Sequence, residues 1–264
     1  MSIKISRLAF LFVLTWTALA TGATALAELP QELRVIAYNI HHGEGTDGKI
    51  DLERIAAILA AESPDLVALN EVDKGTRRTH GIDMPEELAR LTGMTAVFEK
   101  NIDHDGGEYG NAVLSRLPVL RHENHKLPSH YEGEQRGVLE VEVGEAGDSL
   151  LFLATHFDYR PAEDERLASV EKVEDILRGR PDKPAILAGD LNATPDSRVL
   201  ANLLVNWKNA APRPLPSFPA AKPTKQIDYV LVRPAAKWEV VETRILKAPI
   251  ESDHLPLLSV LRLK

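Results

Sequence analysis

Short apolar runs alternate with amphipathic stretches along most of this chain, and many of the runs stop at a polar residue. Leu33–Ile36 leads into Tyr38-Asn39-Ile40-His41, Leu66–Leu69 into Asn70-Glu71, and Leu150–Ala154 into Thr155-His156. Ala185–Ala188 leads into Gly189-Asp190-Leu191-Asn192, while Asp228 and Ser252-Asp253-His254 stand just ahead of apolar runs. These runs predict strands over 33–39, 65–70, 94–99, 109–115, 118–125, 136–143, 149–156, 184–189, 227–232, 238–246 and 256–262. Leu52, Ile55, Ala56 and Leu59 recur at helical spacing between a capping Asp51 and a closing Pro64. Further helices are predicted over 85–92, ending at Gly93, over 161–178 with Leu167, Val170, Val173, Ile176 and Leu177 inward, and over 196–204.

Several consecutive strands are joined too briefly for helical crossovers, which implies mixed sheets with antiparallel pairs. Two sheets packed face to face with helices outside is the economical arrangement. The stretch from Ala210 to Lys225 holds five prolines and Phe218. It reads as an ordered loop over one end of the sheets, since about forty residues follow it.

The first 27 residues have a different character. Lys4 and Arg7 precede an apolar run from Leu8 to Ala20, and Ala25-Leu26-Ala27 places small residues ahead of Glu28. That layout predicts a secretory signal peptide over 1–27 and a working domain over 28–264, exported to the periplasm or secreted. The competing reading is an uncleaved anchor, because the run could nearly span a bilayer; the small-residue exit favours cleavage and no stable membrane insertion. The absence of cysteine excludes disulfides, thiolate catalysis and cysteine metal sites. A formal charge of −8 gives little to gain from counterion release on a nucleic-acid backbone.

The polar strand ends carry the candidate chemistry. In an extended segment Asp190 and Asn192 face one side; Asp190 can hold or deprotonate a water and Asn192 can donate to a phosphate oxygen, although the same pair also suits an Asx-turn. Glu71 fits the main ligand role for a hard divalent cation, with Asn39 and Asp253 nearby, and is otherwise a carboxylate at a loop start. His254 beside Asp253 is placed to contact a reacting phosphate, its ring oriented by Asp228. His156 is either a satisfied rim histidine or a stabiliser of phosphoryl charge.

Together, Asn39, Asn70-Glu71, Tyr109-Gly110-Asn111, Thr155-His156, Gly189-Asp190-Leu191-Asn192, Ile227-Asp228-Tyr229 and Ser252-Asp253-His254 resemble the endonuclease/exonuclease/phosphatase superfamily in order and spacing. The resemblance implies a four-layer α/β sandwich of the DNase I-like kind and phosphoester hydrolysis dependent on Mg²⁺ or Mn²⁺. It implies Glu71 as principal metal ligand, with Asn39 and Asp253 in or beside the shell. Asp190 would activate water, Asn192 would hold the phosphate, and His254 paired with Asp228 would contact it. His156 would stabilise the transition state or assist the leaving group. Asn70 stands where the family usually has Gln. His41 and His42 suit a softer ion such as Mn²⁺ or Zn²⁺, or else hydrogen-bond the loop before Gly43.

Arg78 and Arg136 supply cations for phosphate oxygens, and Tyr109 and Asn111 resemble a substrate-side position. The Pro-Ser-Trp-x-Asp-Arg stretch of inositol-polyphosphate phosphatases is absent, as is the membrane hairpin of bacterial sphingomyelinases. The expectation is a monomeric phosphodiesterase for a small-molecule or lipid-derived phosphoester. The rivals are a nuclease on DNA or RNA and a catalytically silent binding module of the same fold. A calcineurin-like metallohydrolase would need a Gly-Asn-His-Asp/Glu stretch, which Asn39-Ile40-His41-His42 does not supply.

Overall fold

The computed structural model describes residues 29–264, so the predicted signal peptide lies outside the described residues. The chain forms β1 (Leu33–Asn39), α1 (Leu52–Glu62), β2 (Leu66–Lys74), α2 (Met84–Thr92), β3 (Thr95–His104), β4 (Gly107–Ser115), β5 (Val119–Lys126), β6 (Gly137–Glu145) and β7 (Asp148–His156). It continues as α3 (Asp164–Ile176), β8 (Ala185–Asp190), α4 (Arg198–Leu203), β9 (Lys208–Asn209), β10 (Asp228–Arg233), β11 (Trp238–Ile245) and β12 (Leu257–Leu263). Asp51 caps α1 by accepting from Arg54 N, and Gly93 ends α2 at φ 66°, as the sequence predicts.

Two six-stranded mixed sheets result, ordered β11-β12-β1-β2-β4-β3 and β5-β6-β7-β8-β10-β9. Among the described residues only β1–β2 and β7–β8 run parallel, one such pair inside each sheet. The central core draws Val35, Ala37, Ala68 and Val113 from the first sheet and Phe152, Ala154, Ile186 and Val230 from the second, all fully buried. Ile36, Tyr38 and Leu69 pack outward on Ile55, Leu59 and Leu88 of α1 and α2. Leu151, Leu153 and Leu187 pack outward on Val170, Val173 and Val199 of α3 and α4. This is the predicted helix–sheet–sheet–helix layering. Because β1, β2, β7, β8 and β10 are covered on both faces, their sequences read as near-continuous apolar runs, whereas β6 alternates apolar residues with Glu140 and Glu142.

Three local features depart from the sequence reading. β2 continues past Asn70 to Lys74, β3 runs on to His104, and the two-residue β9 adds an edge. The first departure matters most. Leu69 pairs with Ala112 and Val72 with Gly110, so Asn70 and Glu71 together oppose Asn111 in a β-bulge. Glu71 sits in the left-handed region at φ 58°. An unbroken strand would send consecutive side chains to opposite faces; the bulge re-aims them and keeps the ladder going.

Candidate active site

The carboxyl ends of both parallel pairs open on the same edge of the sandwich, where open α/β sheets place their ligands. A cavity of about 390 Å³ lies there. Glu71, His156, Asp190, Asn192, Asp253 and His254 line it, as do Arg78, Tyr109 and Arg136. Nine of the twelve residues singled out from the sequence therefore share one hollow. Asp228 sits just behind it, bonded to His254; Asn39 and Asn111 are buried beneath.

Register builds the centre. Asp190 pairs with His156 of β7 on one side and with Asp228 of β10 on the other, so three polar side chains stand in one row across the second sheet. Asp190 Oδ2 lies 3.4 Å from His156 Nε2 and 3.7 Å from His254 Nε2. From the facing sheet, Asn39 Nδ2 donates to Asp190 Oδ2 at 3.3 Å and to Glu71 Oε1 at 2.9 Å. Asn39 thus ties the carboxylates of the two sheets together with its amide nitrogen. Its oxygen accepts from His41 N at 3.1 Å.

The charges are distributed unevenly. Burial, reinforced by the charge of Asp228, pushes the Asp190 carboxyl up to about 7. Burial alone would lower His254, but the charge of Asp228 and its hydrogen bond to Nδ1 at 2.9 Å outweigh it and raise the ring to about 10. Ser217 Oγ fixes Asp228 by donating to Oδ2 at 2.6 Å. His156 goes the other way: burial and then Arg136 hold it well below the ordinary imidazole value. Arg136 can only donate, so His156 Nδ1 accepts from its Nη1 at 2.9 Å and the neutral ring carries its proton on Nε2. The two histidines are of one residue type, yet one is neutral and the other cationic.

Two of the expected substrate contacts have other occupations. Asn111 faces inward: its Oδ1 accepts from Asn70 Nδ2 at 2.9 Å and its Nδ2 donates to the Gly137 carbonyl at 3.1 Å, so its amide is engaged below the cavity. Asn70 continues that brace, accepting from Asp190 N and donating to the Thr155 carbonyl, both at 2.9 Å. Gly189 completes it. A Cβ there would stand 2.0 Å from the Thr155 carbonyl oxygen, and its φ is 138°. Arg78 borders the cavity, yet its guanidinium forks onto the buried Asp73 at 2.7 Å through each of two nitrogens.

The sequence reading did not single out Glu134, His104, Ile102 or Tyr159, all of which line the cavity. Glu134 binds Arg136 through Nη1, and burial raises its carboxyl. These residues lie on loops or at strand ends without periodic context. The only signal for Glu134 is its position two residues before Arg136. Phe218, from the proline-rich loop, closes the other wall with its ring 4.8 Å from that of His254.

The expected metal set is only partly assembled. Glu71 falls in a close group with His41 and His42, whose ligand atoms lie within 4.8 Å of one another. Asp253 faces the cavity outside that group. His42 Nδ1 is buried without a hydrogen-bond partner, and the donors are carboxylate oxygen and imidazole nitrogen, a set that suits a divalent ion. A second close group, Asp190, Asp228 and His254, is partly compensated by the protonated ring. Four cavity residues are left-handed, His41 (φ 45°), His42 (42°), Glu71 (58°) and Asn192 (47°). Such conformations cost roughly 1–3 kcal/mol each for most residues and gather at functional sites.

An uncharacterized Escherichia coli (strain K12) protein, YbhP, is 27% identical over 241 residues, 85% of this chain and 94% of that protein. An endonuclease/exonuclease/phosphatase structure from Beutenbergia cavernae superposes with a TM-score of 0.72 at 28% identity, covering 89% of this chain and 72% of that one. A Bacteroides thetaiotaomicron mannosyl-6-phosphatase shares the fold at a TM-score of 0.69 and 20% identity, over 87% of this chain and 99% of its own. The model of the Endonuclease/Exonuclease/phosphatase family matches residues 36–254, a span that includes every element of the row around Asp190, and the chain belongs to that family.

Proposed function

We propose that this chain is an exported, divalent-metal-dependent phosphoester hydrolase that cleaves a phosphodiester by in-line attack of water. Membership of a family that includes phosphatases and nucleases supports the general reaction. The observation that carries the specific reading is Asp190, held near neutrality in its affinity for a proton between a neutral His156 and a cationic His254.

Glu71 and Asp253 give the cavity its anionic seat for a divalent ion, and Asn39 fixes the Glu71 carboxylate. A divalent ion such as Mg²⁺ or Mn²⁺, when bound there, would neutralise charge on the phosphoryl oxygens. Asp190 takes the proton of the attacking water as the new oxygen–phosphorus bond forms and the bond to the leaving oxygen breaks. A carboxyl near 7 suits that exchange, being basic enough to accept and still ionised in a large fraction at neutral pH. His254, kept cationic by Asp228, donates from Nε2 to an oxygen that gains charge. His156 presents Nε2–H to the same region, with Arg136 fixing its tautomer. Asn192 places its carboxamide beside His156, anchored by donation to the Phe157 carbonyl at 3.1 Å.

The cavity volume suits a phosphate with a compact substituent, and Ile102, Tyr109, Tyr159 and Phe218 give it apolar walls. With the acidic chain, this favours a small or lipid-derived phosphodiester over a nucleic acid. The basic start, apolar run and small-residue exit within residues 1–27 support export. The test is hydrolysis of bis-p-nitrophenyl phosphate and p-nitrophenyl phosphate with EDTA, Mg²⁺ or Mn²⁺, beside Glu71→Ala and His254→Ala. Metal-dependent diester cleavage, lost in both variants, is expected. Cleavage of the monoester alone would make the protein a phosphatase, and no cleavage with any ion would overturn the reading.

A further inference from the structure

His41 and His42 are consecutive, and consecutive side chains ordinarily diverge. Here both residues are left-handed, and their rings meet edge to face with centroids 4.4 Å apart. Glu71, itself left-handed at the β2 bulge, brings a carboxylate oxygen to the pair. Three unusual backbone conformations thus converge three ligand atoms within 4.8 Å. Ligand atoms held about 2.0–2.2 Å from one first-row ion stand roughly 3–3.6 Å apart, so the three side chains would draw together on binding it.

Glu44 determines which nitrogens are free. Its carbonyl oxygen lies 3.2 Å from His41 Nδ1, which leaves Nε2 of that ring with its lone pair. Its carboxylate lies 3.5 Å from His42 Nε2, while His42 Nδ1 is buried and unpartnered. Hydrogen bonding of one ring nitrogen to a carbonyl or carboxylate, with the other nitrogen left bare, is the arrangement that orients metal-binding histidines. A purely structural role for the pair would be complete with the Glu44 contacts and would leave the buried Nδ1 unexplained. The neighbouring cation, Arg78, is already neutralised by Asp73.

We propose that His41 and His42 join Glu71 in holding the divalent ion, which makes this a site selective for Mn²⁺ or Zn²⁺ over Mg²⁺, since imidazole suits those ions and Mg²⁺ prefers oxygen. This rests on the Glu71 metal seat of the hydrolase reading. The test is binding of the metals themselves to the chelator-treated mature chain, by calorimetry for Mn²⁺, Zn²⁺ and Mg²⁺ and by the visible spectrum of Co²⁺. His41→Ala and His42→Asn each should weaken Mn²⁺ and Zn²⁺ binding by at least about 10-fold, with Mg²⁺ affinity changed far less. Asn tolerates the left-handed backbone, so His42→Asn removes the imidazole and keeps the turn. The Co²⁺ spectrum should change in both variants and stay unchanged in His254→Ala. Unaltered Mn²⁺ and Zn²⁺ affinities and Co²⁺ spectrum in folded His41 and His42 variants would overturn the proposal. If the wild type binds Mn²⁺ through the histidines and hydrolyses neither ester, the hydrolase reading falls and the metal site stands.

Discussion

Two carboxylates on the second sheet show what distinguishes a reactive site from a stabilising one. Asp190 at the end of β8 and Glu142 in β6 both sit on strands, yet their proton affinities move in opposite directions. Burial and Asp228 push Asp190 up to about 7. Burial would also raise Glu142, but hydrogen bonds from Lys183, Ser149 and Arg121 outweigh it and bring the group to about 2. Lys183 Nζ and Ser149 Oγ each donate to Glu142 Oε1 at 2.7 Å, and Arg121 Nε to Oε2 at 2.7 Å. Charge is neutralised on the outer face of β6 and left partly uncompensated at the cavity. The first arrangement stabilises the fold; the second keeps a base available, at some expense in stability.

The contrast can be broken at four places, and the largest effect is expected at Gly189. Gly189→Ala would drive a methyl against the Thr155 carbonyl and the Asn70 brace in a backbone region closed to alanine. Unfolding in denaturant should show a loss above about 3 kcal/mol, together with loss of activity. Next, Asp228→Asn removes the group that holds His254 cationic. The raised pKa of about 10 keeps that proton at neutral pH, so the alkaline limb of the pH–rate profile should move down toward neutrality, with turnover falling about 10²-fold.

Glu142→Gln should have the smallest effect. Its carboxyl is depressed from 4.5 to about 2, so its stabilisation is fully present above 4.5 and is lost as pH falls through about 2. The substitution should cost about 1–2 kcal/mol near neutrality and almost nothing at the acid end, read from melting curves across that range.

Much of the fold and of the site could be read from the sequence, and the reasons differ by residue. The doubly covered strands of both sheets were legible because they are apolar almost throughout. The helix caps at Asp51 and Gly93 were legible because their residue types match their backbone. The row His156, Asp190 and Asp228, with His254 beside it, was legible because each of these residues ends or precedes an apolar run. The bulge at Asn70-Glu71 was not, because a left-handed Glu has no compositional mark. That same feature hid the inward role of Asn111: pairing it with Asn70 depends on one extra residue in β2. Glu134 and Tyr159 were missed because loops bring them to the cavity without periodicity.

The most direct test measures turnover and melting temperature on the same preparation of Asp190→Asn. If Asp190 is a base kept under strain by burial and by Asp228, hydrolysis of a phosphodiester should fall by about 10³-fold or more while the melting temperature holds or rises. Turnover within about 10-fold of the wild type in a folded variant would contradict the account, because a group that only holds the fold together would then occupy the centre of the cavity.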